Sequence, residues 1–182
     1  MSEKFQLERA NTNDIPLLKN LVAAYWREIE VNFRPPELKK ITLLNLESSL
    51  RFNYPNYETE FNINKTDFVY LAKLENIIVG FVSYRIDKES NELFIYDLMV
   101  KNEFYGKGFG SELIEFAINE AKNENISKIG LWVDDINTKA EGLYKKYNFV
   151  FQDYSKLQWY NEEGEVILET TSEYMTKTDI QK

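Results

Sequence analysis

Gly106, Gly108 and Gly110 stand at alternate positions just after an apolar and aromatic run, Leu93 to Val100. They lead into Phe109, Leu113, Ile114, Ala117, Ile118 and Ala121, which recur at helical spacing. A strand, a glycine-rich turn and the first turn of a helix together present backbone N–H groups to an anion. Glycine lets the chain curl tightly and brings bare amides close to a ligand, and the helix start adds unpaired donors and the positive end of the dipole. The chemistry that fits is phosphate binding, above all of a pyrophosphate. The chain therefore reads as an enzyme that holds a phosphate-bearing cofactor here and uses it on a small substrate. A tight turn without a ligand would use glycines as well. Two familiar phosphate motifs fit poorly. The dinucleotide pattern G-x-G-x-x-G needs its third glycine one place later than Gly110, and although Asp134 could pose as its acidic residue, only one further helix follows. No Gly-Lys-Ser/Thr stands at P-loop spacing.

The absent residue types restrict the rest of the chemistry. The chain has no His and no Cys, which removes Ser-His-Asp and Cys-His machinery, disulfides, thiolate nucleophiles and His or Cys metal sites. Proton transfer must rest on Asp, Glu, Tyr, Lys, backbone or water. The net charge of −8 argues against nucleic acid as a partner. It would attract cationic small molecules, though solubility alone also accounts for such a surface. No secretory signal or membrane-spanning run is visible: Ser2-Glu3-Lys4-Phe5 passes straight into a strand-like pattern. The expectation is a cytoplasmic protein that needs neither metal nor membrane.

The elements that must position these residues follow from periodicity and turn chemistry. Phe5 to Arg9 reads as a strand; Thr12, Asn13 and Asp14 offer a cap; Ile15, Leu18, Val22, Tyr25, Trp26 and Ile29 form a helical stripe. After Arg34-Pro35-Pro36, a second helix is expected from Glu37 to Phe52, then a polar, aromatic-dotted loop over 53–65 that could close a pocket from one side. Asp67 to Leu74 and Ile77 to Arg85 form a hairpin around Glu75-Asn76, and Glu92 to Val100 continues antiparallel. The glycine-opened helix then makes Lys128 to Val133 parallel to that strand. Thr138-Lys139-Ala140-Glu141 fits a capping box for a short helix that Asn148 ends as a left-handed residue. Phe149 to Trp159 and Glu165 to Thr176 are two long strands. The fold class is α/β, a mixed α+β sheet in the order β-α-α-β-β-β-α-β-α-β-β, in one domain over 1–182 with its core at about 5–177.

Residues 93 to 149 carry a family resemblance. The loop Tyr105-Gly106-Lys107-Gly108-Phe109-Gly110 resembles the Arg/Gln-x-x-Gly-x-Gly/Ala loop of the GNAT superfamily of N-acetyltransferases, with Tyr105 where Arg or Gln is usual. Asn137-Thr138-Lys139-Ala140, then Tyr144, then Asn148-Phe149 match a second element of that family. The resemblance implies the GNAT-like acyl-CoA N-acyltransferase fold, acetyl-coenzyme A as co-substrate and no metal. It implies that the strands at 93–100 and 128–133 splay apart to admit a pantetheine arm beside Leu98, Met99 and Val100, that the pyrophosphate sits on amides from Tyr105 to Ser111, and that Asn137 and Ala140 face the arm; Asn137 reads equally as a helix cap, and the two are compatible. Tyr144 matches the position whose hydroxyl protonates the departing thiolate; a phenol near ~10 and a thiol near ~8.5 can exchange a proton. In the reaction a neutral amine attacks the thioester directly, with no covalent enzyme intermediate.

Tyr96-Asp97-Leu98-Met99-Val100 is similar to a strand of diamine and polyamine acetyltransferases and of aminoglycoside 3-N-acetyltransferases. Asp97 is then either the group that holds the ammonium and passes its proton to water or a structural residue at a bulge; Glu92 is the fallback base. The expected partner is a small, cationic amine. A coenzyme A-binding regulatory module without catalysis and a peptide or protein N-terminal acetyltransferase are the alternatives. Tyr25, Trp26 and Phe33 are candidates for the acceptor site, with Tyr25 and Trp26 reading better as core. Dimers are common in the family through the last two strands, so a homodimer is compatible with the resemblance.

Overall fold

The computed structural model describes residues 5–53 and 67–180. Its strands are β1 (Gln6–Arg9), β2 (Asp67–Leu74), β3 (Ile77–Asp87), β4 (Glu92–Val100), β5 (Lys128–Asp134), β6 (Val150–Tyr160) and β7 (Val166–Lys177). They form one sheet in the order β1-β2-β3-β4-β5-β7-β6. All neighbours are antiparallel except β4 and β5, which the helix between them makes parallel. The helices are α1 (Ile15–Asn32), α2 (Pro36–Leu44), α3 (Leu46–Asn53), α4 (Phe109–Asn123) and α5 (Thr138–Lys146).

Alternation along the strands builds two cores. On one face Val69, Leu71, Phe81 and Met99 pack with Leu18 and Val22 of α1. On the other, Val82, Tyr84, Leu93, Ile95 and Leu131 meet the apolar stripe of α4, with Tyr144 and Phe149 beside them. Leu113 and Ile114 are fully buried, each stabilising the fold by about 1.5–3 kcal/mol.

The strand and turn expectations hold closely: Glu75 and Asn148 adopt positive φ of 53° and 61°, at the hairpin and at the end of α5. Three local expectations change. The single helix expected over 37–52 is two, because the Asn45 side chain donates to the Ile41 carbonyl at 2.8 Å and ends α2 there. Asn11 caps a short 3₁₀ turn, Thr12–Asp14, ahead of α1, and Asp14 stands at the N-cap of α1 without a side-chain cap bond. The cap of α5 is Asn137 rather than Thr138. The loop expected over 53–65 lies, beyond Asn53, outside the described residues.

Candidate active site

The site begins where two strands part. β4 and β5 pair only from Glu92↔Lys128 to Ile95↔Leu131, although β4 runs on to Val100 and β5 to Asp134. On its other side β4 pairs Asp97 with Ser83 but Ile95 with Tyr84, which leaves Tyr96 as an extra residue, a bulge. A bulge bends its strand and raises its twist, and this one falls at the residue where pairing with β5 stops. The resulting gap opens into two adjoining cavities, of about 410 Å³ and about 290 Å³.

The larger cavity is floored by the glycine loop. Gly106 and Gly108 take φ of 74° and 93°, values open to glycine at little cost, and Gly108 caps α4 with no side chain on its amides. The first amide to bond back into the helix is Glu112 N–H, to the Gly108 carbonyl at 3.1 Å. The amides of Phe109, Gly110 and Ser111 therefore have no intrahelical partner and stand at the positive end of the dipole. Gly110 is helical and serves packing: a Cβ there would come within 3.2 Å of Leu143 Cδ2, so glycine lets α4 lie close to α5. Lys139 and Lys146 of α5 stand on the same wall, with Lys146 Nζ 3.4 Å from Ser111 Oγ and Lys139 Nζ 5.1 Å from the ring centre of Tyr105. Open amides, two lysines and a slot between parted strands fit a diphosphate carrying a long, thin arm.

The smaller cavity is built from side chains far apart in sequence. Asp97 lines it, half-buried, and accepts a hydrogen bond from Ser83 Oγ at 2.7 Å. Burial pushes its carboxyl up to about 6, with the Ser83 bond opposing. Asp134, 6% exposed, lines another part of the wall. It shares Arg34 with Glu30: the guanidinium donates to both Glu30 oxygens at 2.8 and 2.7 Å and to Asp134 Oδ2 at 3.2 Å, and lies 5.4 Å from the ring centre of Trp159. Two carboxylates on one guanidinium leave a buried net negative charge. Burial pushes the Asp134 carboxyl up, while Arg34 pulls it back. Trp26, Phe94, Tyr96 and Trp132 supply aromatic wall, and Lys156 is exposed at the β6 side.

Tyr144 lines both cavities and is 6% exposed. Burial, then the nearby Asp97 charge, pushes its hydroxyl above the usual phenol value, so the gap to a thiol is wider than the unperturbed values suggest. Such a hydroxyl stays protonated at neutral pH. Asn137 also lines both cavities; its Oδ1 accepts from the Ala140 amide at 3.2 Å and its Nδ2 donates to the Tyr25 hydroxyl at 3.0 Å.

The geometry gathers Leu98, Val100, Tyr105, Gly106, Gly108 and Phe109 on the wall of the larger cavity, with Gly110, Ser111, Asn137, Ala140 and Tyr144. Met99 and Lys107 do not line the larger cavity, although Met99 borders the smaller one. The Met99 side chain is buried against α1 on the other sheet face, because alternation turns it away from Leu98 and Val100. Lys107 is exposed, its Nζ 4.8 Å from the ring centre of Phe104. Glu92 faces neither cavity: it accepts from the Tyr174 hydroxyl at 2.6 Å and pairs with Lys128 at 3.2 Å, which leaves it a structural role. Tyr25 and Trp26 pack on the core but also line the smaller cavity, and Phe33 lines the larger one. Sequence reasoning missed Asp134, Arg34, Lys139 and Lys146 as site residues. The lysines had a signal, since 139, 143 and 146 share one helical face; the buried triad had none short of the fold.

Among the described residues no cluster of three or more carboxylates is gathered to hold a metal, and no helix is long and apolar enough to cross a membrane.

Comparison with known proteins agrees with this geometry. The structure resembles that of the PaiA N-acetyltransferase of Thermoplasma acidophilum in complex with coenzyme A, with a TM-score of 0.70 over 96% of this chain and 99% of that one at 19% identity, a likeness of fold. In sequence the chain is similar to Streptothricin acetyltransferase A of Bacillus subtilis, 29% identical over 136 residues that cover 75% of this chain and 70% of that protein. It is also similar to the Mycothiol acetyltransferase of Jonesia denitrificans, 35% identical over 72 residues, 40% of this chain but 23% of the length of that relative. The sequence model of the Acetyltransferase (GNAT) family matches residues 26–149, well over half of the chain. The protein belongs to the GNAT acetyltransferase family.

Proposed function

We propose that the protein transfers an acetyl group from acetyl-coenzyme A to a primary amine of a small, cationic acceptor. The observation that carries this reading is the meeting of two cavities at Tyr144, one floored by open amides and the other walled by Asp97 and Asp134. Acetyl-coenzyme A would supply the acetyl group as a reactive thioester. The amides from Gly106 to Ser111 and the lysines at 139 and 146 hold its diphosphate, and the unpaired edge of β4 at Leu98 and Val100 aligns its arm. The Asp97 carboxylate, ionised above about pH 6, draws an ammonium group into the smaller cavity and takes its proton, directly or through water. The neutral amine then attacks. Tyr144, kept protonated by burial, hydrogen-bonds to the sulfur and gives up its proton as negative charge builds there. The burial of Tyr144 and the partial burial of Asp97 strengthen these interactions.

The cationic class of acceptor rests on charge: Asp97 and Asp134 line the smaller cavity, Asp134 sharing Arg34 with Glu30, among aromatic faces that favour cations. Streptothricin, named in the Bacillus subtilis relative, belongs in the screen beside polyamines, aminoglycosides and amino acids.

The test is release of free thiol from acetyl-coenzyme A in the presence of each amine. Stoichiometric thiol and acetylated amine are expected for a cationic acceptor. Tyr144→Phe should lower kcat at least about a hundredfold with coenzyme A affinity within about twofold of the parent. Tight coenzyme A binding without thiol release on any amine would favour the regulatory module instead.

A further inference from the structure

The two cavities share a short wall of six residues: Tyr25, Ile29, Leu98, Asn137, Ala140 and Tyr144. A carrier lying along the glycine loop and an amine held by Asp97 meet along this wall, so the reacting carbonyl group lies against it. Three of the six carry polar side-chain atoms. Asn137 is committed to capping α5 and to Tyr25. Tyr144 serves the sulfur in the reading above. The Tyr25 hydroxyl is left. Its oxygen accepts from Asn137 Nδ2 at 3.0 Å, so its own proton points away from that amide. Asp97, the nearby anion, accepts from Ser83 Oγ at 2.7 Å, and no hydrogen bond joins it to the Tyr25 hydroxyl. Burial, and then Tyr144, Tyr105 and Asp97, push the Tyr25 hydroxyl well above the usual phenol value, so it keeps its proton and acts as a donor of a hydrogen bond.

We infer that Tyr25 donates a hydrogen bond to the thioester carbonyl oxygen of the bound acyl carrier. The inference rests on the acetyl-transfer reading for the identity of the carrier. Its geometric logic is that Asn137, the residue that starts α5, also sets the direction of the Tyr25 hydroxyl. One amide thereby aligns the arm side and the carbonyl side of the site. Preorganised donors of this kind stabilise the charge that grows on the oxygen during attack.

Coenzyme A and acetyl-coenzyme A differ in that carbonyl, so calorimetric titration of both into the parent and Tyr25→Phe isolates the contact without turnover. The substitution keeps the ring that packs on the core. Tyr25→Phe should bind acetyl-coenzyme A about fivefold more weakly than the parent, the size of one neutral hydrogen bond, and bind coenzyme A equally well. Equal affinity of the variant and the parent for acetyl-coenzyme A, or an equal loss for both ligands, would overturn the inference and leave the acetyl-transfer reading intact. If the parent binds neither ligand, the acyl-carrier reading falls and the Tyr25 role with it. Asn137→Ala should reproduce the selective loss in part, since it frees the Tyr25 hydroxyl to rotate; an Asn137→Ala loss shared by both ligands counts against the alignment.

Discussion

The two halves of the site are made in different ways. The cofactor half is mostly main chain: positive-φ glycines, a helix start and a strand edge, contributed by a contiguous stretch from Leu98 to Ser111 with α5 alongside. The acceptor half is side chains from α1, β4, β5 and the β6–β7 hairpin, and its charge depends on Asp134, which shares Arg34, 100 residues away in sequence, with Glu30. Backbone cradles tolerate changes of side chain, because amides recognise phosphate whatever the residue type. Side-chain cavities change specificity with single substitutions. Under the proposed function, acceptor choice would sit in the half that evolution can alter without disturbing the carrier.

Substitutions can break this contrast, and the largest effect is expected in the triad. Arg34→Ala leaves Glu30 and Asp134 buried without their cation and should destabilise the fold by about 3–5 kcal/mol, read by urea unfolding. Asp134 is already pushed up by burial and would lose the guanidinium that opposes this. Its folded value would then stand further above the unfolded one, so the loss of stability should grow as pH rises. A loss under about 1 kcal/mol would show the triad to be solvated.

Asp97→Asn comes next. Asp97 takes a proton only when ionised, and burial places that change at about 6. kcat/KM should climb as pH rises through that value and level off above it, and Asp97→Asn should lower the plateau about a hundredfold and abolish the rising limb. Persistence of the limb would move the base elsewhere on the wall.

The smallest effects belong to the glycine loop and sharpen the contrast. At Gly108, with φ of 93°, an added Cβ meets nothing within 4 Å. Gly108→Ala thus costs backbone strain alone, about 1–2 kcal/mol, and should weaken coenzyme A binding about tenfold without changing kcat at saturation. Gly110→Ala meets only the end of the Leu143 side chain and should cost less. The reverse order would mean that the close approach of α4 to α5, rather than the left-handed turn, makes the cradle.

The same contrast explains what could be read before folding. The glycine loop, α4 and the Asn137-to-Phe149 segment were legible because each is a local pattern whose residues touch one another. The parting of β4 and β5 was legible only through the resemblance, whereas the bulge weighed at Asp97 is found one residue earlier, at Tyr96. Met99 borders the smaller cavity and the α1 core, because alternation gives the larger cavity every second residue of its stretch, Leu98 and Val100. Tyr25 and Trp26 looked like core because an apolar stripe cannot show that one edge of it faces a cavity. Arg34 sits in a Pro-rich break that reads as a mere connection, and its partner Asp134 closes a strand far away.

The most direct measurement is a crystal structure of the protein with acetyl-coenzyme A. The account predicts diphosphate oxygens about 3 Å from the amide nitrogens between Gly106 and Ser111, the arm lying between β4 and β5, and the sulfur beside the Tyr144 hydroxyl. A carrier bound elsewhere, with those amides bonded to the protein itself, would contradict it.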